Sequence, residues 1–188
     1  MKRTRYVYPK EQIARLWINR IQDKARTPTD NFYFSGDTIY SYGSHFPIAT
    51  LFAAPNGEDV ILFTLRTYSS TTAVHICLVR AVCRQSHRRV IYCENPLGAV
   101  MQFQREAQLE YIKRQFYDPA HRKLSAARKP ELYTGDIRHA CHMAKDFCEV
   151  MCMPPPLWAL LPDGIDDKQA LLCATRLHST NADNERRI

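Results

Sequence analysis

The chain has no P-loop, no G-x-G-x-x-G turn, no G-x-S-x-G nucleophile turn and no H-E-x-x-H helix, so the usual templates for nucleotide binding, acyl transfer and metalloproteolysis all fail. Glycine is scarce, 6 in 188 residues, which excludes collagen; a hydrophobic share of 45% excludes a disordered chain. No uncharged apolar run approaches the roughly 20 residues that span a bilayer. Lys2, Arg3 and Arg5 lead into no apolar segment of secretory type. A protein with no membrane partner, working in the cytosol, is expected. C-x-x-C is missing as well, and the seven cysteines are an odd number, which disfavours a complete disulfide framework.

What the sequence does have is positive charge: 26 Lys and Arg against 19 Asp and Glu, a formal +7. The length is enough to bury a core without metal or disulfide. Free cysteine in apolar stretches such as HICLVRAVC behaves as a small hydrophobe. A zinc site would have to draw on His139, Cys141, His142, Cys148 and Cys152, which offer nitrogen and sulfur of suitable type. On a helix, however, the three cysteines share a face with core spacing and the two histidines fall away from it. Core packing is therefore the expected role, with no cofactor.

The pattern is α+β. Ile13, Leu16, Trp17 and Ile21 put one apolar stripe on a helix from Pro9 to about Lys24. From Asn31 to Leu65 the segments NFYF, TIYSYG, FPIATLF and DVILFTL read as strands joined by turn residues. They form an antiparallel meander of three to five strands, with Asn56-Gly57 expected as a type I′ hairpin. Ser69 to Thr72 offer caps for a helix carrying Val74, Cys77, Leu78, Ala81 and Val82, and a short VIYC strand follows. A long helix is expected over 97–117 and another over 136–151, with 118–135 irregular because of Asp118-Pro119 and Lys129-Pro130. The triple proline at 154–156 precedes a last helix over 166–177 and a frayed end. This organisation divides the chain into an α+β domain over 1–95 and a mainly helical region over 96–188.

Two features could carry chemistry. His45, in YSYGSHFP, and His75, behind the run of hydroxyls at 69–72, could serve as an acid and base pair, since imidazole titrates near neutrality. Hydroxyls and free amides at a helix start also suit phosphate. The structural alternative is plain capping and turn formation. The second feature is basic clusters interleaved with tyrosine: Arg84, Arg88 and Arg89, then Lys113, Arg114, Arg122, Lys123, Arg128 and Lys129. Such side chains give salt-sensitive affinity for nucleic acid, and aromatics stack on bases.

The stretch from Asn31 to Arg80, with YSYGSHFPIA and YSSTTAVH, resembles a family of small proteins of tailed phages and other mobile elements. The resemblance implies an origin and brings no catalytic residues with it. Together these readings point to a non-enzymatic accessory protein of a phage or mobile element, acting in the host cytoplasm. It would bind nucleic acid or a host nucleoprotein complex and so inhibit a defence system such as CRISPR. The alternatives are a nucleotide or phosphoryl-transfer enzyme of nuclease type using His45 and His75, and a phage structural or assembly protein.

Overall fold

The computed structural model describes residues 6–67, 69–126 and 134–160. The chain forms two compact units, Met1–Gln108 and Leu109–Ile188.

The first unit opens with α1 (Lys10–Ile18), whose buried face carries Ile13, Ala14, Trp17 and Ile18. The helix stops short of the Lys24 expected from its spacing. Asn19 turns its side-chain amide back onto the Arg15 carbonyl at 2.9 Å, Arg20 takes a left-handed φ of 49°, and Ile21 is left 65% exposed. The residues freed in this way form an additional strand, β1 (Lys24–Arg26). It has no β-branched or aromatic residue, so its conformation comes from pairing and not from propensity.

β2 (Phe32–Ser35), β3 (Thr38–Ser41), β4 (Pro47–Ala53) and β5 (Asp59–Thr64) follow the expected segments closely, and each pairs antiparallel with its predecessor. The β4–β5 turn differs in detail. Only Gly57 has positive φ, at 90°, and the loop closes through Ala54 N–H on the Glu58 carbonyl at 2.8 Å. This is a longer hairpin loop than the two-residue type I′ turn, which requires positive φ at Asn56 as well.

α2 (Ser70–Gln85) then carries the chain back along the sheet, and β6 (Val90–Cys93) enters parallel to β5. The described sheet therefore has six strands in the order β1-β2-β3-β4-β5-β6 and is mixed. The purely antiparallel meander of three to five strands is corrected on two counts, the added edge strand and the parallel pair. A helical crossover is the ordinary way to make a parallel neighbour, because the intervening 16-residue helix returns the chain to the end where β5 began. α1 and α2 cover one sheet face, around Phe32, Phe34, Ile39, Phe63, Ile76 and Val79. Burying each such side chain contributes about 1.5–3 kcal/mol. Trp17 adds a directional tie, its indole N–H donating to the Asp37 carbonyl at 2.7 Å.

The first unit continues past residue 95, because α3 (Pro96–Val100) packs against β4 and β5. Its start is capped by Asn95 Oδ1, which accepts from Leu97 N–H at 3.1 Å. The single helix expected over 97–117 is broken into α3, a 3₁₀ turn (Gln102–Gln104), α4 (Arg105–Ile112) and a π-helical turn (Lys113–Tyr117).

That π turn leads directly into α5 (Asp118–Ala126), where an irregular segment was expected. Pro119 lies inside one continuous helical run from Arg105 to Ala126, directly after the π turn, and has no amide to donate back to that turn. The second unit also contains α6 (Thr134–Val150) and a 3₁₀ turn (Leu157–Ala159). Its core includes Ile112, Tyr117, Ile137, Phe147 and Trp158. Among the described residues no helix is long and apolar enough to cross a membrane. The expected helix over 166–177 and the chain's end lie outside the described residues.

Candidate functional site

α2 begins at a capped end: Ser69 Oγ accepts from Thr72 N–H at 3.2 Å. One turn on, His75 points inward and is only 3% exposed. Its ring stacks on Phe32, with centroids 4.5 Å apart and planes 15° off parallel. Nδ1 lies 2.8 Å from Ser41 Oγ on β3. Ser41 is fully buried, and this is the one hydrogen bond to its hydroxyl among the described residues. A buried hydroxyl proton needs an acceptor, so Ser41 donates to Nδ1 and His75 is the Nε2–H tautomer. Burial, with the Lys10 ammonium second, holds the imidazole below its ordinary pKa, so this ring is neutral near pH 7.

The pair stands between two clefts. One, of about 450 Å³, is lined by Lys10, Thr27, Thr29, Asn31, Ser70, Thr71 and His75, among others. The other, of about 590 Å³, is lined by Ser41, Tyr42, His45, Phe46, Arg66, Ser69 and Thr72. His45 is exposed and belongs to the second cleft, its ring folded over Gly43. A Cβ at Gly43 would come within 3.0 Å of His45 Nδ1, and φ there is +112°. The two histidines proposed from sequence as one acid and base pair thus line different clefts.

The far face of β1–β3 carries a second candidate. Arg26 pairs with Tyr33 and Tyr33 with Tyr40 across the strands, so the three form one row on the face opposite Ala25, Phe34 and Ile39. The phenol rings stack at 5.1 Å and 19°, and both residues remain half-exposed. Lys24 lies on the same face and places its ammonium 5.2 Å from the Tyr6 ring. Arg26 comes within 3.9 Å of Asp30. Partial burial and the negative charge of Tyr40 and Asp30 raise the Tyr33 phenol.

The basic clusters read from sequence divide. Arg84 is exposed. Arg88 donates Nε to Asp59 Oδ2 at 2.7 Å and Nη1 to the Ile18 carbonyl at 3.2 Å, so it caps the C-terminal end of α1. Arg89 lies 3.6 Å from Glu58. In the second unit Arg114 donates to Glu110 at 2.6 Å; Arg122 and Lys123 are exposed and Lys113 is half-buried. Arg128 and Lys129 lie outside the described residues.

On α6, Cys141 and Cys148 are buried, while His139, His142 and, beyond the helix end, Cys152 are exposed. Cys141 donates its S–H to the Trp158 carbonyl at 3.5 Å. Among the described residues no group of three His, Cys, Asp or Glu is placed to hold a metal ion.

Lys10, Asn31 and Tyr33 were not among the site residues expected from sequence, whereas Tyr40 and Ser41 lie in the YSYGSHFP segment that was. The tyrosines were within reach: in FYFS and TIYS strict alternation sends them to the face opposite Phe32, Phe34 and Ile39. The role of Ser41 depends on a contact 34 residues away, which no local pattern announces. No protein family model, curated protein or solved structure matches this chain.

Proposed function

We propose that the protein binds single-stranded nucleic acid through the outer face of β1–β3. The observation that carries this reading is the Arg26–Tyr33–Tyr40 row. Two stacked, half-exposed phenols offer π faces on which a base can lie, and Lys24 and Arg26 beside them offer charge to the backbone. Base–aromatic stacking contributes about 1–3 kcal/mol per base and tolerates any sequence. The net charge of +7 adds long-range attraction that falls with salt.

The Arg84, Arg88 and Arg89 cluster is the weaker contact, since two of its three guanidinium groups are held by Asp59 and Glu58. The resemblance of YSYGSHFPIA and YSSTTAVH supports an origin in a phage or mobile element, with the host cytoplasm as the place of action; nucleic-acid binding rests on the charge and the aromatic row alone. Phosphoryl-transfer chemistry shared by His45 and His75 has less support, because the two rings line different clefts.

Binding of a labelled single-stranded oligonucleotide, measured across a salt series, tests the reading. Affinity that falls steeply with salt in the natural chain, and is weakened in Arg26→Glu more than in Arg84→Glu, is the expected result. Equal loss in the two variants, or no salt dependence, contradicts it.

A further inference from the structure

α1 and α2 run side by side in the same sense. Their first residues, Lys10 and Ser70, line one cleft, and their last turns, at Ile18 and at Val82 to Gln85, line another. Parallel helices gather two positive dipole ends at the first cleft and two negative ends at the second. The second is compensated, because Arg15, His87 and Arg88 line it and Arg88 donates to the Ile18 carbonyl. The first is lined by Lys10, hydroxyls, Asn31 and His75 and, among the described residues, by no carboxylate.

Each donor there can be traced. Ser70 and Thr71 are the first two residues of α2, whose amides have no acceptor inside the helix. Asn31 Oδ1 is taken by the Thr27 and Thr29 hydroxyls, at 3.0 and 2.8 Å, which leaves its Nδ2 amide as the free end. His75, 97% shielded by its 3% exposure, spends Nδ1 on Ser41. Its Nε2–H has no protein partner among the described residues and is not an enclosed orphan; His75 lines the cleft, so this N–H is open to a ligand there. Lys10 supplies a full positive charge. A site with a cation, several free N–H groups and no carboxylate among its lining residues, at two helix N-termini, is matched by a ligand rich in acceptors. The volume of about 450 Å³, with Pro28 and Val74 on its walls, exceeds what a bare phosphate fills.

We propose that this cleft binds a phosphomonoester, with the phosphate oxygens on the Ser70 and Thr71 amides, Asn31 Nδ2, His75 Nε2–H and Lys10, and the esterified group against Pro28 and Val74. The site stands independently of nucleic-acid binding on the sheet face.

The test is a ¹H–¹⁵N NMR titration of the full chain with a nucleoside 5′-monophosphate, the same nucleoside without phosphate, inorganic phosphate and sulfate. Saturable shifts of the Ser70 and Thr71 amides and of the His75 ring are expected with the monophosphate, and none with the nucleoside. Lys10→Glu puts an acidic side chain at a helix start, where it is favourable; with folding checked by the dispersion of the same spectra, it is expected to weaken binding about tenfold or more. Two further arms, a 5′-phosphorylated single strand and its dephosphorylated twin, separate the sources. Tighter binding of the phosphorylated strand than of its dephosphorylated twin assigns the site to a nucleic-acid end, and equal binding of the two strands, with the mononucleotide still bound, assigns it to a free nucleotide. Any one of three results overturns the proposal: no saturation by roughly 5 mM monophosphate, beyond the millimolar range that corresponds to about 4 kcal/mol; sulfate as effective as the monoester; or unchanged affinity in Lys10→Glu.

Discussion

Ser41 on β3 donates its hydroxyl proton to Nδ1 of His75 on α2, 2.8 Å away, with both side chains buried. This bond ties the crossover helix to the middle of the meander and fixes which ring nitrogen carries the proton. Ser41→Ala leaves Nδ1 without its donor, and the cost of a buried unsatisfied group is about 1–3 kcal/mol. A loss of that size in urea unfolding is expected, and ring ¹⁵N shifts should report a mixture of tautomers in the variant.

The same ring makes stability depend on pH. Its folded pKa lies below the ordinary value of 6.5, so the unfolded chain binds more protons in the window just below 6.5. Stability from His75 is therefore full above that value and is lost as pH falls toward the folded pKa, by about 1.4 kcal/mol per unit of depression. Unfolding followed from pH 7.5 to 5 should show this decline, and His75→Phe, which keeps the stack on Phe32, should flatten it.

Thiol reactivity should sort the cysteines by burial. The Cys83 and Cys141 thiols are pushed up to about 12 and Cys148 to about 11, all chiefly by desolvation. Cys93, wholly enclosed, is raised as well. Cys77 and Cys152 are exposed. Brief alkylation of the native chain followed by peptide mass spectrometry should label Cys77 and Cys152 before the other four described thiols.

A fourth expectation concerns Gly98 in α3. A Cβ there would meet Gln104 Oε1 at 2.6 Å and Gln108 Nε2 at 3.2 Å. Gln108 is 3% exposed and accepts from Asn95 N–H at 3.0 Å. Gly98→Ala gains helix propensity but must push the end of the Gln104 side chain aside and shift the buried Gln108 amide by a few tenths of an ångström, so a net loss of about 1 kcal/mol is expected. A melting temperature equal to or above that of the natural chain would contradict the packing described.

Much of this architecture was legible because local patterns and burial agree. β2 to β5 announce themselves by aromatic and β-branched residues and by the turns at Gly36 and Gly57, and Ser69 marks the start of α2. The failures have physical causes. Lys24–Arg26 has no strand propensity and is held by pairing, with β2 on one side and with the backbone of Tyr6 and Tyr8 on the other. The helical breaks between Val100 and Asp118 include a π turn that no periodicity encodes. The parallel entry of β6 depends on where a 16-residue helix delivers the chain. As for the site, residue type pointed to His75 and the hydroxyls at 69–72, while their partners Ser41, Asn31 and Lys10 come from distant segments. The basic clusters were visible as charge, but which guanidinium groups are neutralised depends on Asp59 and Glu58 across the β4–β5 turn.

Photo-crosslinking tests the central claim most directly. A single-stranded oligonucleotide containing 5-iodouracil, irradiated with the full chain at low salt and mapped by peptide mass spectrometry, should crosslink at Tyr33 or Tyr40, and the yield should drop in Tyr33→Leu with Tyr40→Leu. Crosslinks confined to the segment around Arg84 to Arg89, or a yield unchanged by the double substitution, would contradict the account.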